Sequence, residues 1–146
     1  MNIIGRSALV DISQLNLNQL PAKVDTGAYS SSIDHSLAQV VTIDGLEQLE
    51  FILFHPGSKW YTGHKLTTAE FEITEVKNAN GVQKRYVIFP DIQIGKHLLK
   101  SRLTLANRDH LRYPILIGRK FLNQGDYLVD VKVNCDWPGD EEERNL

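Results

Sequence analysis

Short runs of β-branched, aromatic and aliphatic residues, cut by glycine turns, dominate this chain and leave little room for helix. Leu49–Phe54, Tyr86–Ile94, Leu103–Leu105, Tyr113–Ile117 and Tyr127–Val133 all have strand composition. From Val129 to Val133 apolar and polar residues alternate, as in a half-buried strand. Asp44-Gly45, Asn80-Gly81 and Gly95-Lys96 predict hairpin turns, because glycine adopts positive φ at little steric cost. Pro90 interrupts the Tyr86–Ile94 run and predicts an edge or a bulge there. Helix is expected over Arg119–Gln124, with Gly125 at C′, and as one turn over Asp34–Ala38. The pattern predicts an all-β, mostly antiparallel barrel or sandwich.

A length of 146 residues fits one domain, expected over residues 1–136, with an acidic, frayed tail over 137–146. Apolar content of 42% and charged content of 23% are those of an ordinary globular protein. A net charge of −2 leaves no electrostatic footprint for a nucleic-acid partner. No apolar run approaches the roughly 20 residues of a membrane span, and the start lacks the features of a signal peptide. The lone Cys135 excludes an intrachain disulfide and fits a reducing compartment. The expectation is a cytoplasmic protein with no membrane or nucleic-acid partner.

Two runs far apart carry the chemistry. Ala22-Lys23-Val24 leads into Asp25-Thr26-Gly27-Ala28-Tyr29, and Tyr113-Pro114-Ile115-Leu116-Ile117 leads into Gly118-Arg119. Metal-free amide hydrolysis can use two carboxylates that share one proton. One takes a proton from water while the other donates to the carbonyl oxygen, and their mutual repulsion splits their pKa values. Such an Asp needs a rigid loop with little bulk beside it. Gly27 would let the backbone reach the Asp25 carboxylate, the Thr26 hydroxyl could tie the loop to a partner loop, and Val24 would anchor it in the core. Taken alone, the tripeptide reads more readily as an ordinary turn.

Asp-Thr-Gly-Ala followed by Ile117-Gly118-Arg119 and a short helix resembles the retropepsins, the single-domain aspartic proteases. A closer resemblance is to bacterial retropepsin-like proteins labelled ATP-dependent zinc proteases and associated with ATP-grasp peptide ligases. It rests on Ala22 through His35, Asn78 to Gly81, Leu103 to Arg108, the Tyr113–Arg119 block and Val129-Asp130. The resemblance implies a closed acid-protease β-barrel with one short C-terminal helix. It also implies an aspartic-type endopeptidase with Asp25, Thr26 and Gly27 as the catalytic loop and Ile117, Gly118 and Arg119 supporting it. Ala28, Tyr29 and a flap tip at Asn80-Gly81 would contact a peptide or protein substrate. Viral members carry an acidic residue where this chain has Tyr29, which leaves the role of Arg119 open. No cofactor is expected.

One Asp-Thr-Gly per chain predicts a homodimer, with Asp25 of each copy meeting on a two-fold axis. The alternative is a monomer pairing Asp25 with another of its own carboxylates, Asp130 being the best candidate. A non-catalytic module that binds a peptide or a ligase remains a second reading, and a zinc peptidase a third. His35, His55, His64, His97 and His110 occur singly, without a His-Glu-x-x-His motif, and no phosphate-binding Gly-rich loop occurs. Ser30, Ser31 and Ser32 with Asp34 and His35 lack the geometry of a serine hydrolase and are read as bonding the loop backbone. Trp60 and Tyr61 read as core or hairpin residues. Lys59, Lys65, Lys84 and Arg85 read as solvated charges, or as an attraction for an acidic peptide.

Overall fold

A computed structural model describes residues 1–133 of the chain; Cys135 and the acidic tail over 137–146 lie outside them. The amino-terminal third forms β1 (Asn2–Ile4), β2 (Ser7–Ile12), β3 (Leu17–Val24) and a long β4 (Ser31–Ile43). Next come β5 (Leu46–Leu53), β6 (Leu66–Thr68), β7 (Phe71–Asn78), β8 (Gly81–Ile88), β9 (Asp91–Ile94) and β10 (His97–Lys100). The chain then forms β11 (Leu103–Ala106), β12 (Ile115–Ile117), the helix α1 (Arg119–Gln124) and β13 (Tyr127–Val129).

The three glycine turns fall where the sequence predicts them. Asp44-Gly45 joins β4 to β5 with both residues at positive φ, 51° and 81°. Asn80-Gly81 closes the β7–β8 hairpin, and Gly95-Lys96 closes β9–β10. Pro90 does more than bend its run. It lies between β8 and β9, which pair with different neighbours.

The main sheet follows the order β10-β9-β2-β3-β12-β4-β11-β8-β7, with β5 added to β4 and β6 to β5. The expected closed barrel does not form. Closure needs an unbroken ring of paired strands; here β7 and β10 end the path unpaired with each other, and the ladder branches at β4. β4 pairs with β12 and β11 through Ser31 to Asp34, shifts register between His35 and Leu37, and pairs with β5 as far as Ile43. Asp34–Ala38 is therefore strand, not a turn of helix. Sheet hydrogen bonds from neighbours distant in sequence override the weak local signal.

Alternation puts Val10 and Ile12 of β2, Leu20 and Ala22 of β3, Ile33 of β4, Leu103 and Leu105 of β11, and Ile115 and Ile117 of β12 into one core with Phe51 and Ile92. The intervening Thr104, Leu116 and Ser32 stay partly exposed on the other face. Strands β1 and β13 form a separate two-stranded parallel sheet. The alternation beyond Val129 does not extend this strand. The Asp130 carboxylate accepts from the Lys132 N–H at 3.0 Å, and the Val133 N–H donates to the Asp130 carbonyl, so the chain turns.

The helix α1 has the expected bounds. At six residues it is too short to persist alone. Packing holds it: Phe121 and Leu122 are buried, and Phe121 stacks on Tyr127 with ring centroids 5.9 Å apart. Gly125 is not left-handed as expected at C′. It caps the helix at φ −88°, and Asp126 takes the positive φ of 53°.

Candidate active site

Strands β3 and β4 flank the 25–30 loop but do not pair with each other. β12 lies between them, parallel to β3 and antiparallel to β4. This insertion brings the two sequence runs together. The Asp25 N–H donates to the Ile117 carbonyl at 2.9 Å, and the Val24 N–H donates to the Arg6 carbonyl at 2.9 Å. Val24 is buried, as an anchor should be.

The loop is held from both sides. The Gly27 N–H donates to Asp25 Oδ1 at 2.9 Å, which fixes the partly exposed carboxylate. The Ala28 N–H reaches back to the Asp25 carbonyl at 3.3 Å. The first turn of α1 closes the loop: the N–H groups of Arg119 and Lys120 donate to the carbonyls of Ala28 and Tyr29, at 2.8 and 3.0 Å. Arg119 Nη1 donates to the Thr26 carbonyl at 3.0 Å, and its guanidinium lies 5.9 Å from the centroid of the exposed Tyr29 ring. That contact is a cation–π arrangement. Arg119 thus engages the loop through a carbonyl and an aromatic face, where viral relatives would offer an acid.

Gly118 is required by close approach. A Cβ there would sit 2.7 Å from the carbonyl carbon and oxygen of Ser30. Its N–H donates to the buried Ser31 Oγ at 3.0 Å, so that serine bonds backbone as expected. Thr26 is exposed, and its hydroxyl makes no hydrogen bond among the described residues.

A cleft of about 410 Å³ opens beside the loop, between Ala28 and the arms of the β7–β8 hairpin at Thr74 and Arg85. Ser30, Ser32 and Thr104 line its floor. The hairpin therefore faces the loop, but its cleft wall is formed by mid-arm residues and not by Asn80 and Gly81, which sit at the tip. Asp130 belongs to the turn after β13, where its carboxylate accepts from the Lys132 N–H.

Sequence reasoning missed a network behind the loop. Asp34 is only 4% exposed, and its Oδ1 accepts the Arg108 N–H at 2.7 Å while Oδ2 meets His55 Nδ1 at 2.9 Å. Arg108 Nε donates to the Tyr113 carbonyl at 3.0 Å. Burial lowers the Arg108 guanidinium from its ordinary value, and the negative charges of Asp34 and Asp25 act against that lowering. His35 instead meets the Ala106 carbonyl at 2.8 Å, so Asp34 and His35 do not pair with each other. The sequence carried no local signal for this network, because its partners Asp34, His55 and Arg108 lie far apart along the chain. Trp60 packs on the core beside Phe54, with ring centroids 6.2 Å apart, as a core residue should. Among the described residues no three His, Cys, Asp or Glu side chains approach closely enough to hold a metal ion. No helix there is long and apolar enough to cross a membrane.

An Asp-Thr-Gly loop braced by a strand threaded between its own flanking strands, with a short helix after the supporting glycine, defines a retropepsin-like protein. The chain belongs to the RimB-like family, whose model, described as retropepsin-like aspartic endopeptidase RimB, matches residues 3–135. A probable alpha-L-glutamate ligase of Shewanella halifaxensis is 30% identical over 122 residues, which are 83% of this chain and 27% of that protein. A probable alpha-L-glutamate ligase of Desulfotalea psychrophila is 27% identical over 91% of this chain and 29% of its own length. The chain thus spans little more than a quarter of the curated relatives it matches. A crystal structure of a Legionella pneumophila protein of unknown function aligns with a TM-score of 0.68 at 25% identity, over 92% of this chain and 97% of the other.

Proposed function

We propose that this chain is an aspartic-type endopeptidase whose dyad is completed by Asp25 of a second copy. The observation that carries the reading is the Asp25 carboxylate, fixed by the Gly27 N–H on a loop that is braced to Ile117 and lines an open cleft with its Ala28 and Ser30. In this reading one Asp25 carboxylate takes a proton from water as the water oxygen bonds to the scissile carbonyl carbon. The protonated carboxyl of the other copy gives its proton to the carbonyl oxygen. Collapse of the resulting diol breaks the C–N bond as the amide nitrogen takes a proton. The exposed Thr26 hydroxyl, with no partner among the described residues, is available to the second copy's loop. The β7–β8 hairpin acts as the flap that excludes water.

The relatives' names support one substrate class. A domain matched within proteins named for ligating glutamate fits a peptidase that cuts peptides bearing ligated glutamate residues, and an ATP-grasp ligase is the partner that would make them. This reading places the protein in the cytoplasm. A non-catalytic module that binds a peptide or a ligase is the alternative, since Asp-Thr-Gly occurs only once in the chain.

Asp25→Asn decides between them, since it keeps the loop's hydrogen bonds while removing the charge. With glutamate-tailed peptides followed by mass spectrometry, the expected result is a loss of about 10²- to 10⁴-fold in cleavage in a protein of unchanged fold. No cleavage by the unaltered protein would favour the module. Cleavage by a strictly monomeric sample would sink the shared dyad.

A further inference from the structure

The cleft beside the Asp25 loop is polar and carries one sign of charge. Ser32 of β4 and Thr104 of β11 are register partners on the face opposite the buried Ile33, Leu103 and Leu105. Across from them, Thr74 and Arg85 are register partners on the hairpin arms, and Arg102 enters from the residue before β11. No Asp or Glu lines this space. Glu72 holds Arg102 through Nη1, which leaves most of the five guanidinium N–H donors unused by that bond. Arg85 has no ion-pair partner among the described residues; outside the strand ladder its carbonyl accepts from the Thr74 hydroxyl at 3.4 Å. Arg85 also walls an adjoining cavity of about 290 Å³ that Lys84 and His35 share.

An unpaired guanidinium among hydroxyls suits a carboxylate, which it can bind with two parallel N–H···O bonds. An aliphatic side chain would leave those donors unanswered. We propose that Arg85, with Arg102 beside it, is the specificity-determining residue that binds a carboxylate side chain of the peptide in the cleft beside the Asp25 loop. The proposal rests on the peptidase reading above and adds the residues that read the substrate.

The test uses the full chain carrying Asp25→Asn and two fluorescein-labelled probes, tetraglutamate and tetraglutamine, with binding read by anisotropy. The acidic probe binds about tenfold tighter, the size of one charge-assisted contact, and the gap narrows as salt rises. Arg85→Gln removes the preference and Arg85→Lys restores part of it. Arg85 is exposed, so circular dichroism should find its variants folded. With Asp25 intact, Arg85→Gln raises KM for the acidic peptide more than for a neutral one. Equal binding of the two probes, or a preference that survives Arg85→Gln combined with Arg102→Gln, overturns the proposal. If neither peptide is cut yet the preference vanishes with Arg85→Gln, the carboxylate subsite stands and the peptidase reading falls. If both peptides are cut equally and Arg85→Gln changes nothing, the subsite falls and the peptidase stands.

Discussion

The Asp25 N–H donates to the carbonyl of Ile117 across 2.9 Å, and this one bond ties the Asp-Thr-Gly loop to the apolar run that precedes Gly118. It exists because β12 lies between the two strands that the loop connects. Anything that moves β12 or the residue after it moves the carboxylate.

Gly118→Ala tests this bracing most directly. The added Cβ would stand 2.7 Å from Ser30 backbone atoms, which cannot swing away as a side-chain end could. Overpacking of this kind costs about 1–3 kcal/mol. Urea unfolding should report that loss, and peptide cleavage should fall further than stability does because the loop itself is displaced.

Arg119 braces the same loop by a different contact. Arg119→Lys keeps the charge but loses the planar donor to the Thr26 carbonyl and the face over Tyr29. We expect a stability loss of about 1 kcal/mol or less, because the bond is exposed, with cleavage reduced about tenfold. Denaturant midpoints and kcat/KM measured on the same preparations separate the two effects.

Asp34 should matter for folding more than for chemistry. Its removal leaves the Arg108 N–H and the partly buried His55 ring without their acceptor. Asp34→Ala should cost about 2–3 kcal/mol, and Asp34→Asn less, since the amide oxygen can still accept one of the two bonds. Thermal melts compare the two variants. Equal stability of the alanine variant and the unaltered protein would refute the role of this network.

Tyr127 offers a pH test. Burial raises its phenol from the ordinary value of 10.0, and its hydroxyl oxygen is enclosed with no hydrogen-bond partner among the described residues. As pH climbs past 10, the unfolded chain gives up this proton first, so stability present below pH 10 declines as pH rises through the higher folded value. Tyr127→Phe should be about 1 kcal/mol more stable at neutral pH, because it deletes an unsatisfied buried group. It should also show a shallower loss of stability above pH 10 in denaturant titrations. A variant less stable than the unaltered protein would mean that the hydroxyl does find a partner.

The parts of the fold legible in advance are those fixed by local chemistry. Asp44-Gly45 and Gly95-Lys96 turn because their own backbones allow positive φ, and Arg119–Gln124 is helical with Gly125 at its end. The strands β1 to β3 were not legible in advance, since Pro21 and the polar residues around it blur the β3 pattern that the neighbours β2 and β12 enforce. Asp34 read as part of a helical turn because a strand hydrogen-bonded to three partners leaves no mark in its own residues.

The sequence by itself determined that Asp25, Thr26 and Gly27 form a tight loop preceded by a buried Val24, and that a second apolar run ends in a glycine. Motif chemistry of this kind is short-range, and residue type is enough to state it. Only the tertiary structure decided that β12 slides between β3 and β4, that the sheet stays open, and that Arg85 and Arg102 share one cleft with Ala28. Those outcomes depend on which strand edges find each other across the chain, and pairing between distant segments is set by the packing of the whole core rather than by any local run.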